Sequence, residues 1–146
     1  MTSPHTLSGF LEYSDRLAAS AAAHPDVLGL VLVGSAADTG RVDEWSDHDF
    51  FLIVKDGLAE GFRQDLSWLP DSEEVVIRPR ETDHGLKVVY RNGHVLEFAV
   101  FDDRELEMAS VNYWAVPVDK TDITVRVAAL EQRTKGGVFV EEKESG

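Results

Sequence analysis

The sequence predicts a mixed α/β (α+β) domain, a sheet of mostly hairpin-connected strands with helices packed on it. Three observations lead there. Short apolar runs of strand length, such as Val27–Val33, Asp49–Val54 and Val95–Phe101, alternate with amphipathic stripes at helical spacing. An Asn92-Gly93 pair joins two of these runs, and Asn-Gly is a strong short-range hairpin signal. No internal repeat and no Pro/Gly/Ser-rich linker interrupts the chain, so residues 1–140 read as one domain and the acidic stretch 141–146 as a disordered tail.

Taken in order, Ser3-Pro4 has the form of a helix start, with Ser3 as cap and Pro4 in the first turn. Leu7, Phe10, Leu11, Leu17, Ala18 and Ala21 then recur at helical spacing until His24-Pro25-Asp26 stops the run. Val27–Val33 is nearly continuous in valine and leucine, as a buried strand is. It ends at Gly34-Ser35, after which Ala36, Ala37 and Asp38 could open a short helix. Residues 39–46 read as a polar loop, and Asp49–Val54 as a strand closed by Lys55-Asp56-Gly57. Leu58, Phe62, Leu66 and Leu69 space a helix that Pro70 ends. Glu74–Ile77 has strand character, and Leu86–Tyr90 and Val95–Phe101 flank the Asn-Gly turn. Glu105–Ala109 suggests a short helix and Asn112–Val118 a strand. Thr121 is placed to cap a last helix with Ile123, Val127 and Leu130 on one stripe, ended by Gly136-Gly137.

Composition narrows the function classes. The 146 residues include 27 Asp and Glu against 14 Lys and Arg, a formal charge of -13, which disfavours duplex nucleic acid as a partner. The same surplus permits a divalent cation. No run of about 18 apolar residues is present, so no membrane helix is expected. No signal peptide is recognised, and a cytoplasmic location is expected. Absence of cysteine removes disulfides, thiolate metal sites and cysteine nucleophiles.

The chemistry concentrates between Val31 and Val54. In a strand, Asp47 and Asp49 share a face and His48 turns away. Two carboxylates so close repel each other unless a cation lies between them or one takes a proton. Oxygen donors of this kind suit magnesium or manganese better than zinc. The alternative is that one aspartate caps a loop and the other is solvated at a strand end. Glu97, inside the apolar run Val95–Phe101, is a third candidate, because an ionised side chain there needs a partner, a metal or an edge-strand exposure. Gly34-Ser35 would present backbone amides to a phosphate if a helix starts there.

With Gly34-Ser35, eleven intervening residues, the Ser46-Asp47-His48-Asp49 strand entry and a later Glu97 assembled, residues 27–101 resemble the nucleotidyltransferase superfamily typified by DNA polymerase beta. The resemblance is closer to aminoglycoside, lincosamide and minimal bacterial nucleotidyltransferases than to polymerases. It implies a nucleotidyltransferase-like mixed sheet. It also implies Mg2+ or Mn2+ on Asp47, Asp49 and Glu97, and an NTP donor, ATP favoured, with its β- and γ-phosphates on Gly34 and Ser35. An acceptor hydroxyl, on a small molecule or a protein, would displace pyrophosphate, with Glu97 helping to take its proton. Glu97 stands where many members carry Asp. The helical domain that completes the acceptor pocket in longer relatives has no counterpart here, which leaves a minimal enzyme, a homodimer that shares surfaces, or an inactive form. Two further readings stand beside this one: an antitoxin-like minimal enzyme that modifies a partner protein, and a catalytically silent binding module.

Other residues carry weaker signals. His48 reads as packed, and His84 and His94 as exposed near turns. Arg78, Arg80, Lys87 and Arg91 could each reach a phosphate, and sequence does not choose among them. Trp45 could stack on a base or anchor a loop, and Trp68 and Trp114 read as core or interface residues.

Overall fold

The structure, a computed structural model, describes residues 5–38, 40 and 47–132. Its centre is a six-stranded mixed sheet in the order β3-β4-β5-β2-β1-β6. The strands are β1 (Val27–Val33), β2 (His48–Val54), β3 (Val75–Ile77), β4 (Gly85–Tyr90), β5 (Val95–Asp102) and β6 (Trp114–Asp119). β2 and β5 run parallel, and every other neighbouring pair is antiparallel. The mixed α/β class expected from the sequence is the observed one, and the Asn92-Gly93 hairpin joins β4 to β5, with Gly93 at a φ of 87°.

Helix α1 (Leu7–Ala23) is capped by Thr6, whose hydroxyl accepts from the Gly9 amide; the expected cap at Ser3 lies outside the described residues. Its buried stripe is Gly9, Phe10, Tyr13, Leu17 and Ala21. Leu7 and Leu11, expected on that stripe, are instead exposed. Leu11 sits one residue, about 100°, round the helix from Phe10, so Tyr13 takes the inward place. Helix α2 (Ala59–Gln64) is shorter than predicted. Leu66, Trp68 and Leu69 enter the core from a turn instead, held by the Trp68 indole N–H donating to the Phe62 carbonyl at 2.9 Å. The segment Asp103–Met108 is a 3-10 helix with a capping box between Asp102 and Glu105.

The last helix, α3, begins at residue 123 and continues to the end of the described residues. Its cap is not Thr121, as predicted, but the Asp119 carboxylate, which accepts from the amides of Thr121, Ile123 and Thr124. The turn after β6 is tight enough to bring that side chain over the first turn, where it meets the orphan donors. Gly136-Gly137 and residues 141–146 lie outside the described residues.

The two sheet faces differ. On one, Leu32, Phe50, Leu52, Leu96, Phe98, Val100 and Val88 pack under α1 and the 58–69 segment, with Phe10, Leu17, Phe62 and Trp68 as the largest contributors. On the other, Val31, Ile53 and Phe101 pack under Leu106, Val111, Ile123, Val127 and Leu130. α3 approaches β1 closely: a Cβ on Gly29 would lie 2.8 Å from Ile123 Cγ1 and 3.0 Å from the Val118 carbonyl oxygen. Among the described residues, this second cover reaches only one end of the sheet. Phe51 and Ala99 sit at its margin, half-buried, and beyond them the face is charged. Among the described residues no helix is long and apolar enough to cross a membrane.

Candidate functional site

Strand alternation builds the site. In β2, His48, Phe50 and Leu52 are fully buried on the covered face, which turns Asp49 to the other. In β5, Leu96 and Phe98 are buried and Glu97 between them is exposed. β5 lies between β4 and β2, so the edge-strand reading of Glu97 does not apply. Register then aligns the charged positions. Val33 pairs with Asp49, Asp49 with Glu97, and Glu97 with Lys87, one row across β1, β2, β5 and β4. A shallow cleft of about 330 Å³ runs over this row, lined by Val33, Asp49, Phe51, Glu81, Glu97 and Ala99 among others.

The carboxylates feel one another. Burial first, then the charges of Glu97 and Asp47, push the Asp49 carboxyl up from 3.8 to about 6. Burial and the Glu97 charge also raise Asp47, while Lys87 draws it back. Lys87 Nζ stands 3.8 Å from Glu97 Oε1, both side chains roughly half exposed. The other basic candidates are engaged elsewhere. Arg80 forks onto Glu60 at 2.7 Å with both terminal nitrogens, Arg78 donates to the carbonyls of Arg63 and Gln64, and Arg91 donates to Glu74. Among the described residues, the basic side chain paired with these carboxylates is therefore Lys87, a choice that needed the register.

Gly34 and Ser35 follow β1 directly, in a three-residue 3-10 turn, Gly34–Ala36. Gly34 has a φ of +61°, and a Cβ there would lie 3.4 Å from Asp49 Oδ2. The turn and the carboxylate are thus adjacent. The expected helix N-terminus is not formed: one 3-10 turn has little aligned dipole. The Gly34 amide is moreover committed to the Tyr113 carbonyl at 3.0 Å. Gly34 contributes space beside Asp49, and Ser35 is half-buried next to it.

The donor set suits a hard divalent cation, and burial, then neighbouring negative charge, raises Asp47 and Asp49, a penalty such an ion would relieve. Among the described residues, no group of three acidic or histidine side chains stands in ligating geometry. The Glu97 side chain is about half-exposed, beside Lys87. Trp45 lies outside the described residues.

Behind the same strand sits a buried histidine pair. His48 Nδ1 and His94 Nε2 are 2.8 Å apart, and the other His48 nitrogen meets Ser14 Oγ at 2.8 Å. Burial, then the neighbouring ring, lowers His48 to about 3; burial, then His5, lowers His94 to about 4, so both rings are neutral. His48 is packed, as expected, stacked on Phe10. His94 is not exposed as predicted: it is 3% exposed and stacks on Tyr90. The signal was present, since extending the inward period of Leu96, Phe98 and Val100 back by two residues lands on His94. His84 is half-buried and meets Glu105 at 3.3 Å.

No protein family matches the sequence, and no curated protein matches it. Among solved structures, the chain is similar to a STING-associated CdnE c-di-GMP synthase from Capnocytophaga granulosa, at 17% identity and a TM-score of 0.46. That alignment covers 68% of this chain and 34% of the synthase, so the chain spans about a third of its length.

Proposed function

We propose that this chain is a metal-dependent nucleotidyltransferase that moves a nucleoside monophosphate from an NTP, ATP favoured, to a hydroxyl of a small molecule or a protein. The observation that carries the reading is the row in which the end of β1, with the Gly34-Ser35 turn after it, lies beside Asp49 and Glu97, beyond the apolar cover formed by the described residues. Asp47, Asp49 and Glu97 would hold Mg2+ or Mn2+, and the ion would supply charge neutralisation to the triphosphate. Ser35 would contact the β- and γ-phosphates, with Gly34 leaving room for them. In the reaction, the acceptor oxygen bonds to the α-phosphorus as the bond from that phosphorus to the bridging oxygen breaks. Pyrophosphate leaves with the bonding pair, and the acceptor proton passes to Glu97 or to water beside it.

A second reading, a silent binding module of the same architecture, draws on the absence of a preformed three-ligand cluster among the described residues. One experiment separates the two. Melting with ATP and MgCl2 should raise the transition temperature of the native protein and leave Asp49→Asn unshifted. α-Labelled ATP with small-molecule hydroxyls or a lysate should yield labelled product only with the native chain. Binding without transfer to any acceptor supports the silent module, and no binding with either Mg2+ or Mn2+ refutes the enzyme.

A further inference from the structure

We propose that Lys87 is an acceptor-side specificity residue, one that selects a hydroxyl compound bearing a compact anionic group such as a phosphate. The inference rests on the transferase reading and deepens it. In-line displacement at phosphorus puts the attacking and leaving oxygens on opposite sides. If the departing pyrophosphate lies by the Gly34-Ser35 turn at the end of β1, the acceptor enters from the opposite side of the carboxylates. The strand order places β4 there: β1, β2, β5, then β4.

Lys87 is the residue of β4 that pairs in register with Glu97. Neighbouring strands lie about 4.8 Å apart, so its Cα stands roughly 10 Å from that of Asp49 and roughly 14 Å from that of Val33. Its ammonium reaches Glu97 at 3.8 Å, from the β4 side of the row. Arg78, Arg80 and Arg91 are all engaged away from the cleft.

The state of Lys87 changes with occupancy. Among the described residues, Glu97 is its ion-pair partner, through a long, solvent-screened contact. A Glu97 carboxylate engaged with a cation and an attacking hydroxyl has less charge to offer. Lys87 is then an underused ammonium beside the attacking group, and an anion on the acceptor satisfies it. Glu81, which lines the cleft over the carboxylate row, opposes a polyanion. The acceptor class is therefore a hydroxyl compound with one compact anionic group, rather than a nucleic acid strand.

The test uses ribose 5-phosphate against ribose, and glycerol 3-phosphate against glycerol. Each is titrated calorimetrically into the protein loaded with MgCl2 and α,β-methylene-ATP, then assayed as an acceptor from α-labelled ATP. The native chain is expected to bind and label the phosphorylated member of at least one pair in preference to its neutral partner. Lys87→Met should weaken that binding about tenfold or more, with nucleotide affinity changed less than about threefold, and Lys87→Arg should keep the preference. Equal use of charged and neutral acceptors, or binding of neither member of each pair by a protein that does bind the nucleotide, overturns the assignment of Lys87 alone. So does a Lys87→Met variant that loses nucleotide affinity, which would put the side chain on the triphosphate. Failure of the native protein to bind Mg-nucleotide refutes the transferase reading, and this inference with it.

Discussion

Asp49→Asn should stabilise the protein at alkaline pH while removing its chemistry. The Asp49 carboxyl is raised from 3.8 to about 6. That difference of roughly two units corresponds to an upper limit of ~3 kcal/mol. Water reaches part of the side chain and screens the interaction, which brings the expected effect to about 1–1.5 kcal/mol. The sign follows from proton binding. Below pH 3.8 the group is protonated in both states and contributes nothing. Between 3.8 and about 6 the unfolded chain has released the proton and the folded one retains it, so stability falls as pH rises. Above about 6 the full loss is present. Asparagine keeps the size and removes the charge, and it also relieves Asp47 of a neighbour. At pH 8 its midpoint should exceed that of the native chain by roughly 3–5 °C, with the gap closing towards pH 4. Adding MgCl2 at pH 8 should raise the native midpoint and narrow the gap. Thermal melts at four pH values, with and without the ion, provide the measurement. A variant less stable than native at pH 8, or a gap that does not shrink on acidification, would refute the claim that burial and neighbouring charge make ionised Asp49 costly here.

Two other outcomes test the frame around the site. His48 and His94, lowered to about 3 and about 4 from 6.5, are neutral when folded and protonated when unfolded in mild acid; the stability they contribute is present above pH 6.5 and lost as pH falls towards 4. Melts of His94→Gln between pH 7.5 and 5 should show a shallower fall than native, and an unchanged slope would remove the pair as the cause. Gly29→Ala would place a Cβ 2.8 Å from Ile123 Cγ1 and 3.0 Å from a backbone oxygen. It should cost about 1–3 kcal/mol in urea denaturation, and a neutral result would mean that α3 is not seated on β1.

Sequence carried most of the elements because their signals are local. Val27–Val33 and the Asn92-Gly93 hairpin fell where periodicity and turn chemistry put them. The errors came from residues whose place depends on distant partners. Tyr13 displaced Leu11 from the buried stripe of α1 because the sheet below it offers a Tyr90 hydroxyl at 2.7 Å. Asp119 displaced Thr121 as the cap of α3 because the turn after β6 folds back on itself. At the site, alternation turned Asp49 away from the buried His48, Phe50 and Leu52, while Asp47 precedes β2. The choice of Lys87 over three arginines was not legible, since it depends on β4 pairing with β5 in one register. The commitment of the Gly34 amide to Tyr113 was equally hidden, because the contact spans most of the sheet in sequence.

On the cleft face, β2 runs Asp49, Phe51, Ile53, and β5 runs Glu97, Ala99, Phe101. Both series begin charged and turn apolar at the same height, because Asp49 pairs with Glu97 and Ile53 with Phe101. A strand face that is solvated throughout would stay polar, and one that is covered throughout would stay apolar. A switch partway along two adjacent strands marks where a cover must stop. Here the cover is Leu106, Val111 and the Ile123, Val127 and Leu130 side chains of α3, and it seats on Ile53 and Phe101. The carboxylates lie just beyond its margin, dry enough for Asp49 to be raised and open enough for a ligand to enter. The apolar half thus shapes the surroundings of the charged half. It fixes β2 and β5 side by side and lowers the local dielectric at their charged ends, and there a cation and a phosphate would interact more strongly than in free solution.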